Sequence, residues 1–197
     1  MQYKIISFDP GISSLGWALS IYDMDCDILE VQRFGTLKAS KLASKQKELS
    51  DTYGSRVMAL KEVEDHVRQL VTSFNPDYVC SEDAFFCTKY PNAYGALLMC
   101  VHSVRRVLFD MHESEHITKP TARVLHTFAP MMIKRVASSK ATSNKSDMLA
   151  ALTQNNKIVF KSTKADILTK MDEHEVDAIS CGYTFVTTTL PTLLCSQ

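Results

Sequence analysis

The stretch ISFDPGISSLGWALS, residues 5–19, contains an apolar run that ends in an aspartate, then a Pro-Gly turn, then a second apolar run. Runs rich in β-branched and aromatic residues on both sides of such a turn are typical of two adjacent strands. The pattern therefore places Asp9 at the end of the first strand. An aspartate before Pro-Gly is often only a turn residue whose side chain hydrogen-bonds to its own backbone. Whether Asp9 has a further role therefore depends on whether other functional side chains lie beside it.

Periodicity along the rest of the chain predicts an α/β domain with a mixed sheet, antiparallel at first and parallel later. Without the short helix at 120–128, the order of elements is strand, strand, strand, helix, strand, helix, strand, helix, helix. In chain order, the predicted elements are strands at 3–9, 15–22 and 28–34, an amphipathic helix at 42–74, a strand at 78–82, a helix at 92–111, a strand at 115–118, a short helix at 120–128, a basic loop at 129–144, and helices at 145–155 and 172–187.

Length and composition indicate a single domain, residues 1–197, with an ordinary core. The six cysteines form no CxxC pair, which argues against both a zinc ribbon and a disulfide framework. The chain has no run of about 18 uncharged apolar residues and does not begin with the pattern of a signal peptide. We therefore expect an intracellular, cytoplasmic protein without a membrane partner.

The charge is unevenly distributed. The formal net charge is zero, but residues 119–164 contain nine basic residues and a single acid, Asp147. A basic segment of this kind favours contact with a polyanion such as nucleic acid.

Acidic residues recur where strands end, the usual place for function in a mixed α/β sheet. Glu82 ends the fourth predicted strand, as Asp9 ends the first, and the cluster DEHEVD at 172–177 opens the last helix. His174 and Asp177 are three residues apart, so both project from one face of that helix. Such a set suits Mg²⁺ or Mn²⁺, and two ions about 4 Å apart can promote phosphodiester cleavage. Taken singly, Glu82 could be a surface acid and the cluster only a helix start.

Three blocks, ISFDPGISSLGWALS, NPDYVCSEDAFF and HEVDAISCGY, resemble in order and separation the motifs of RuvC-type Holliday junction resolvases of the ribonuclease H-like superfamily. The resemblance covers about residues 3–187. It implies a mixed five-stranded sheet flanked by helices, a homodimer, and metal-dependent hydrolysis of DNA at a four-way junction. The short chain and its divergent basic loop are compatible with a phage or viral member, which would act in a bacterium or a virus-infected cell.

The resemblance also implies roles for particular residues. Asp9, Glu82, His174 and Asp177 match the metal-binding positions for Mg²⁺, with Mn²⁺ as a substitute and two ions per site. The histidine stands where members of the family have either Asp or His. Lys145 matches a lysine near the scissile phosphate, and Phe85 matches an aromatic residue that stacks on junction bases, with one ring of the Phe85–Phe86 pair expected in the core. A second family lysine has no clear counterpart, and His126 or Arg123 lies nearest.

Further phosphate contacts are predicted from the basic segment. The candidates are Lys119, Arg123, Lys134, Arg135 and Lys140, each of which could equally be a solvated surface charge.

Two other motifs are weaker. Residues 112–116, HESEH, satisfy the HExxH pattern of zinc proteases, but they fall where a predicted helix ends. Gly11 and Gly16 have the spacing of a P-loop, yet Trp17 and Ala18 stand where Lys and Ser or Thr are needed. Neither motif predicts a site.

Three function classes remain open. The leading hypothesis is an endonuclease that resolves branched DNA by paired nicks in a homodimer. A non-catalytic or RNA-processing relative of the same superfamily is the second. An ATPase of the actin and Hsp70 type also begins with strand, Asp, turn and strand, but it needs two such domains, for which 197 residues are too few.

Overall fold

The computed structural model describes residues 1–88, 90–161, 168 and 170–195. The strands are β1 (Gln2–Asp9), β2 (Leu15–Asp23), β3 (Ile28–Leu37), β4 (Tyr78–Glu82), β5 (Leu125–Phe128) and β6 (Ile158–Phe160). The helices are α1 (Ala39–Lys45), α2 (Lys47–Tyr53), α3 (Ser55–Phe74), α4 (Pro91–Glu113), α5 (Pro130–Ser138), α6 (Lys145–Gln154), α7 (Glu173–Thr184) and α8 (Leu190–Cys195). A π-helical turn, Phe185–Thr189, joins α7 to α8.

The strands form one mixed sheet in the order β5-β4-β1-β2-β3-β6. As predicted, β1, β2 and β3 are an antiparallel meander, while β4 pairs parallel to β1. The strands β5 and β6 extend the two edges in parallel with β4 and β3. The carboxyl ends of β1, β4 and β5 therefore meet at one edge of the sheet.

Both faces of the sheet are covered, because successive side chains of a strand point to opposite faces. Ile6 and Phe8 of β1 pack with α1, α3 and α4 on one face. Ile5, on the other face, belongs to the core that α5, α6 and α7 complete. The result is a three-layer α/β domain.

Several predicted elements were wrong in type or extent. The single helix at 42–74 is three helices, and the break before α3 falls at Gly54, whose φ of 90° an L side chain rarely adopts. No strand forms at 115–118, where Glu115 has a φ of 59°. The short helix at 120–128 is a 3-10 turn, Pro120–Arg123, followed by β5.

The predicted basic loop at 129–144 contains helix α5, which begins with Pro130 at its first position. The strand β6 was not predicted, so the sheet formed by the described residues has six strands rather than five. The strand β6 has three residues, too few to show a period, whereas α5 was missed although its buried residues, Ile133 and Ala137, lie one helical turn apart. The predicted start of α6 is confirmed, since Asn144 caps it and forms a capping box with Asp147.

Among the described residues, one helical segment, Glu173–Cys195, is long and apolar enough to cross a membrane by length and composition alone. Half of its most apolar window is buried inside the domain. Ile179, Phe185 and Leu190 are fully buried in the core beside the sheet. Burial in this core accounts for the apolar character of the segment.

Candidate active site

Asp9 and Glu82 are neighbours because their strands are paired. In the parallel register of β1 with β4, Phe8 lies opposite Ser81. Asp9 and Glu82 are the next residues of the two strands, and each is the last of its strand. Both carboxylates therefore leave the sheet side by side at its carboxyl edge.

The first turn of α7 is fixed against the same edge by hydrogen bonds. Asp172 caps α7, and its capping box with Glu175 satisfies backbone N–H groups at the helix start. Thr36 Oγ1 and Lys38 Nζ, from the end of β3, donate to the two carboxylate oxygens of Asp172 at 2.7 and 3.1 Å. These contacts fix the position of the first turn of α7, which contains His174.

A glycine lets α7 approach β2 closely. A Cβ added to Gly16 would lie 2.1 Å from the carbonyl oxygen of His174 and 2.6 Å from its carbonyl carbon. Any side chain at position 16 would collide with the backbone of α7. The lack of a side chain at Gly16 therefore allows His174 to reach the sheet edge.

His174 and Asp9 are in direct contact. His174 Nδ1 donates to Asp9 Oδ2 at 2.6 Å, and their side chains are 30% and 14% exposed. This hydrogen bond is the main reason that the pKa of His174 lies above its ordinary value. The pair is partly open to solvent, so a substrate can approach it.

Glu82 and Asp177 both lie close to the charge of Asp9. Burial, with the nearby charges of Asp9 and Asp177, raises the pKa of Glu82 to about 9. Burial and the charge of Asp9 raise the pKa of Asp177 to about 6. The ionised form of each acid is disfavoured, because the carboxylate loses hydration on burial and lies near like charge. The four predicted residues thus occupy one electrostatic neighbourhood.

Lys134, on α5, lies within electrostatic reach of this cluster. Its positive charge lowers the pKa of both Glu82 and Asp177, against the effect of burial. Sequence reasoning placed Lys134 in a loop and considered it only as a phosphate contact. The signal that could have found it is Pro130, which marks a helix start and puts Lys134 one turn inside that helix.

Lys145 is also near the cluster. It is the first residue of α6, its charge lowers the pKa of Asp177, and its ammonium group pairs with Glu173. The side chain is mostly exposed, so this ion pair is weak and can be exchanged for another anion.

The other basic candidates divide into two groups. Arg135 and Lys140 are exposed, on α5 and just beyond its end. Lys119 instead contacts Asp77 at 2.8 Å and the carbonyl of Asn75, before the start of β4 and thus at the opposite edge of the sheet. Arg123 precedes β5 at that same opposite edge and contacts the ring of His112.

His126, one of the two residues nearest in sequence to the missing second lysine, is enclosed by aromatic rings. Its ring packs against Tyr78 and Phe185, and burial lowers its pKa. Arg123 lies away from the carboxyl edge as well. Lys134 is a basic residue whose charge reaches Glu82 and Asp177.

Phe85 and Phe86 follow Glu82 in the β4–α4 connection. Phe85 is 43% exposed and Phe86 is 62% exposed. The expectation that one ring of the pair belongs to the core was wrong. The connection is short and leaves the sheet edge at once, so neither ring reaches the layer between sheet and helices.

The two weaker motifs form no site. Helix α4 ends at Glu113, and His116 follows a turn in which Glu115 has a positive φ, so His112 and His116 do not share a helix face. After Gly11, the strand β2 begins at Leu15 where a P-loop would need a helix.

Among the described residues, no group of three or more His, Cys, Asp or Glu side chains is close enough together to hold a metal ion as the side chains stand. The donor set does fit a divalent ion, since three carboxylates and an imidazole are ligands that Mg²⁺ and Mn²⁺ accept. Asp9 and His174 already touch, and the charges of Glu82 and Asp177 reach Asp9.

The raised pKa values predict how stability depends on pH without metal. Glu82 has an ordinary pKa of 4.5, and folding raises it to about 9, so the unfolded chain loses that proton first and stability falls as pH rises between these values. The raised pKa values of Asp177 and His174 act in the same direction. We expect the Tm in EDTA to fall from about pH 6 to about pH 9, and Glu82→Gln to flatten this slope.

The measurement is thermal unfolding followed by circular dichroism over that pH range. Glu48→Gln, at an exposed position on α2, is the control and should keep the slope of the unsubstituted protein. A flat profile before substitution, or an equal slope in Glu82→Gln, would contradict the electrostatic account of the cluster.

No family model and no curated protein matches the chain. Solved structures do match. RuvC of Thermus thermophilus, in complex with a Holliday junction substrate, aligns with a TM-score of 0.65 over 93% of both chains at 15% identity. The yeast mitochondrial Holliday junction resolvase Ydc2 aligns at 0.61, with 12% identity, over 92% of this chain and 78% of that one. The fowlpox virus resolvase aligns at 0.53, with 15% identity, over 95% and 99%.

These alignments extend over nearly the whole chain, and they agree with the strand order, the antiparallel meander and the helices on both faces of the sheet. The chain therefore has the ribonuclease H-like fold of the RuvC-type Holliday junction resolvases.

Proposed function

We propose that the protein is a metal-dependent endonuclease that cuts branched DNA, and four-way junctions in particular, by paired nicks in a homodimer. The observation that carries the proposal is the placement of Asp9, Glu82, His174 and Asp177 at one sheet edge of a RuvC-like fold. The junction DNA in the complexes of the Thermus and fowlpox proteins supports the choice of substrate.

Mg²⁺ is the proposed cofactor, with Mn²⁺ as a substitute and two ions per site, and bound metal would activate a water and stabilise the leaving oxygen. Asp9, Glu82, His174 and Asp177 would hold it. The raised pKa values of Glu82 and Asp177 support this assignment, because a nearby cation would offset the burial and the like charge that disfavour the ionised form of both acids. His174 orients Asp9 through their hydrogen bond.

Lys134 and Lys145 would act on the scissile phosphate. Both are cations beside the acid cluster, so either can stabilise the extra negative charge that develops on the phosphoryl oxygens. Phe85 would stack on a base at the branch, while Arg135 and Lys140 would contact flanking phosphates. Lys119 and Arg123 lie at the opposite sheet edge and stay outside this proposed interface.

A groove between α2, α3 and α4 supports the homodimer. The groove has a volume of about 1020 Å³ and exposes large apolar side chains on all three helices. These side chains are Leu49, Tyr53, Val57, Met99 and Phe109. Lys61 and Glu64 on α3, which also line the groove, are already paired with Asp65 and Arg106 of the same chain, so the apolar side chains are what a second copy related by a two-fold axis would cover. An apolar patch of this kind is typical of an interaction surface.

We expect Phe109→Glu to convert the dimer to monomers, because it would bury a carboxylate in the apolar centre of the interface. The measurement is molar mass by light scattering coupled to size-exclusion chromatography. Met24→Glu, at an exposed methionine outside the groove, is the control and should remain dimeric. A monomeric unsubstituted protein, or a dimeric Phe109→Glu variant, would refute this interface.

The function is tested by incubating the folded protein with a labelled synthetic four-way junction and Mg²⁺ or Mn²⁺, beside a continuous duplex and an RNA junction of equal sequence. The expected result is paired nicks in the DNA junction alone. Failure to cut with either ion would overturn the proposal, and a preference for the RNA junction would favour an RNA-processing enzyme.

A further inference from the structure

The carboxyl edge of the sheet continues from the acid cluster to the end of β3. Asp9 lies opposite Gly16 of β2, and Gly16 lies opposite Thr36 of β3. Thr36 is therefore two strand spacings, about 10 Å, from Asp9. Lys38 follows two residues later and contacts Asp172, the residue that caps α7. Helix α1 starts at the next residue and thus begins beside the proposed active site.

Helix α1 is held at this edge by its inner face. Ala39 and Ala43, one helical turn apart, are buried in the core that α3 and α4 complete. The backbone N–H of Ser40 donates to the carbonyl of Ser13, in the turn between β1 and β2, at 3.4 Å. The face of α1 opposite to the two alanines therefore points to solvent.

The outer face of α1 is basic. Residues 38–47 contain four lysines and no acid. Lys41 and Lys45 are one turn apart on α1, Lys47 begins α2, and all three are exposed. None of these three lysines forms an ion pair with another described residue. The helix therefore presents a row of uncompensated positive charge.

This charge is unfavourable for the helix itself. Lys41 and Lys45 are like charges at i and i+4, which destabilise a helix, and Lys41 also lies in the first turn of α1, where the helix dipole disfavours a cation. With seven residues, α1 is too short to be stable without its packed face. A local arrangement that costs stability is typical of a functional surface, and here an anionic partner would relieve the repulsion.

The position of α1 indicates which anion it would meet. Arg135 and Lys140, the other exposed basic candidates, lie on and just beyond α5, which covers the opposite face of the sheet. The acid cluster thus lies between two basic surfaces. A seven-residue helix is about 10 Å long, which equals the rise of about three phosphates along one strand of duplex DNA. The row of lysines on α1 therefore matches the backbone of a duplex that extends away from the acid cluster.

We propose that Lys41, Lys45 and Lys47 bind the phosphate backbone of one duplex arm of the branched DNA, across the acid cluster from α5. These contacts hold an arm rather than the branch point, so they add affinity and orientation without reading base sequence. This inference rests on the proposed function for its substrate. It adds a DNA surface that lies outside the basic segment at 119–164.

The test is binding in EDTA, which keeps the DNA uncut. Fluorescence anisotropy measures the Kd for a four-way junction over a series of salt concentrations. Lys41→Gln combined with Lys45→Gln is expected to weaken binding by about 10- to 60-fold at about 0.1 M salt, and to reduce the slope of log Kd against log salt by about 2, as for two lost phosphate contacts. Lys41→Arg combined with Lys45→Arg keeps both charges and should keep the affinity and the slope.

Lys119→Gln combined with Lys157→Gln is the matched control, because it removes the same charge at the opposite edge of the sheet. This control should keep the salt slope, and an equal loss would show that net charge alone is responsible and would refute the surface. The Tm of the α1 glutamine variant should equal or exceed that of the unsubstituted protein, because a like-charge pair is removed. A lower Tm would assign the lysines to the fold and overturn the proposal.

Neutral methylphosphonates locate the contact on the DNA. They replace one phosphate at a time along each arm, and the Kd is measured for the unsubstituted protein and for the α1 glutamine variant. At arm positions beside α1, the replacement should weaken binding by the unsubstituted protein and leave binding by the variant unchanged. If no arm position behaves in this way, or if the variant binds as tightly as the unsubstituted protein, the proposal is refuted.

The two proposals fail separately. Binding is measured without cleavage, so refutation of the α1 surface leaves the nuclease proposal standing. An unsubstituted protein that binds the junction through α1 but does not cut it with either metal ion would overturn the nuclease proposal alone.

Discussion

Replacing Asp9 with Asn is expected to lower the rate of junction cleavage by at least about 10³-fold while leaving junction binding within a few-fold of the original. The asparagine keeps the size of the side chain but removes the negative charge that the proposed metal needs. The amide oxygen of asparagine can still accept from His174, so the substitution tests the charge of Asp9 rather than its hydrogen bond. The measurement is single-turnover cleavage of a labelled four-way junction, with anisotropy for binding.

Asp51→Asn is the matched control for this substitution, because Asp51 is an exposed aspartate on α2 away from the acid cluster. Its cleavage rate should equal that of the unsubstituted protein. Cleavage that survives in Asp9→Asn would mean that the acid cluster is not the active site. Parallel loss of binding and cleavage would instead indicate that Asp9 supports the fold.

Replacing Gly16 with Ala is expected to destabilise the fold and to abolish cleavage together. The new Cβ would lie 2.1 Å from the carbonyl oxygen of His174, and the neighbouring atoms are backbone that cannot rotate away. The helix α7 must then shift, which costs about 1 to 3 kcal/mol and sometimes more. For a chain of this length that corresponds to a fall in Tm of about 3 to 10 °C. The measurements are thermal unfolding and cleavage of the junction.

Gly95→Ala is the control for the glycine substitution, since a Cβ at Gly95 meets nothing within 4 Å. There the change to alanine is expected to stabilise α4 slightly, by about 0.5 to 1 kcal/mol. An unchanged Tm in Gly16→Ala would show that α7 approaches β2 less closely than described, and the positioning of His174 would need another explanation.

Local patterns were enough to predict the elements that carry a strong period or a sharp boundary. The meander β1–β3, the strand β4 and the capped start of α6 were all identified from residues close together in sequence. Short elements were missed or mistaken, because β5 and β6 have only four and three residues and form by pairing with strands distant in sequence, while α5 lies in a basic stretch that was interpreted as a loop. The break at Gly54 was missed because the apolar spacing continues across it.

The residues of the candidate site also divide into those that local patterns predicted and those that they did not. Asp9 and Glu82 could be placed at strand ends from sequence, and His174 and Asp177 on one helix face. Lys134 could not be placed beside them, because it depends on how α5 packs against α7. Phe86 could not be recognised as exposed, since an aromatic residue after a buried strand is as easily part of the core.

The sequence by itself determined which residues are candidates for the active site, because strand ends, turns and helix starts are local events that leave a local pattern. Tertiary structure alone decided which of these residues lie next to one another. Parallel pairing of β1 with β4 set Asp9 beside Glu82, and the missing side chain of Gly16 let α7 bring His174 into contact with Asp9. Those relations join residues up to 165 positions apart, and no local pattern encodes the distance between them.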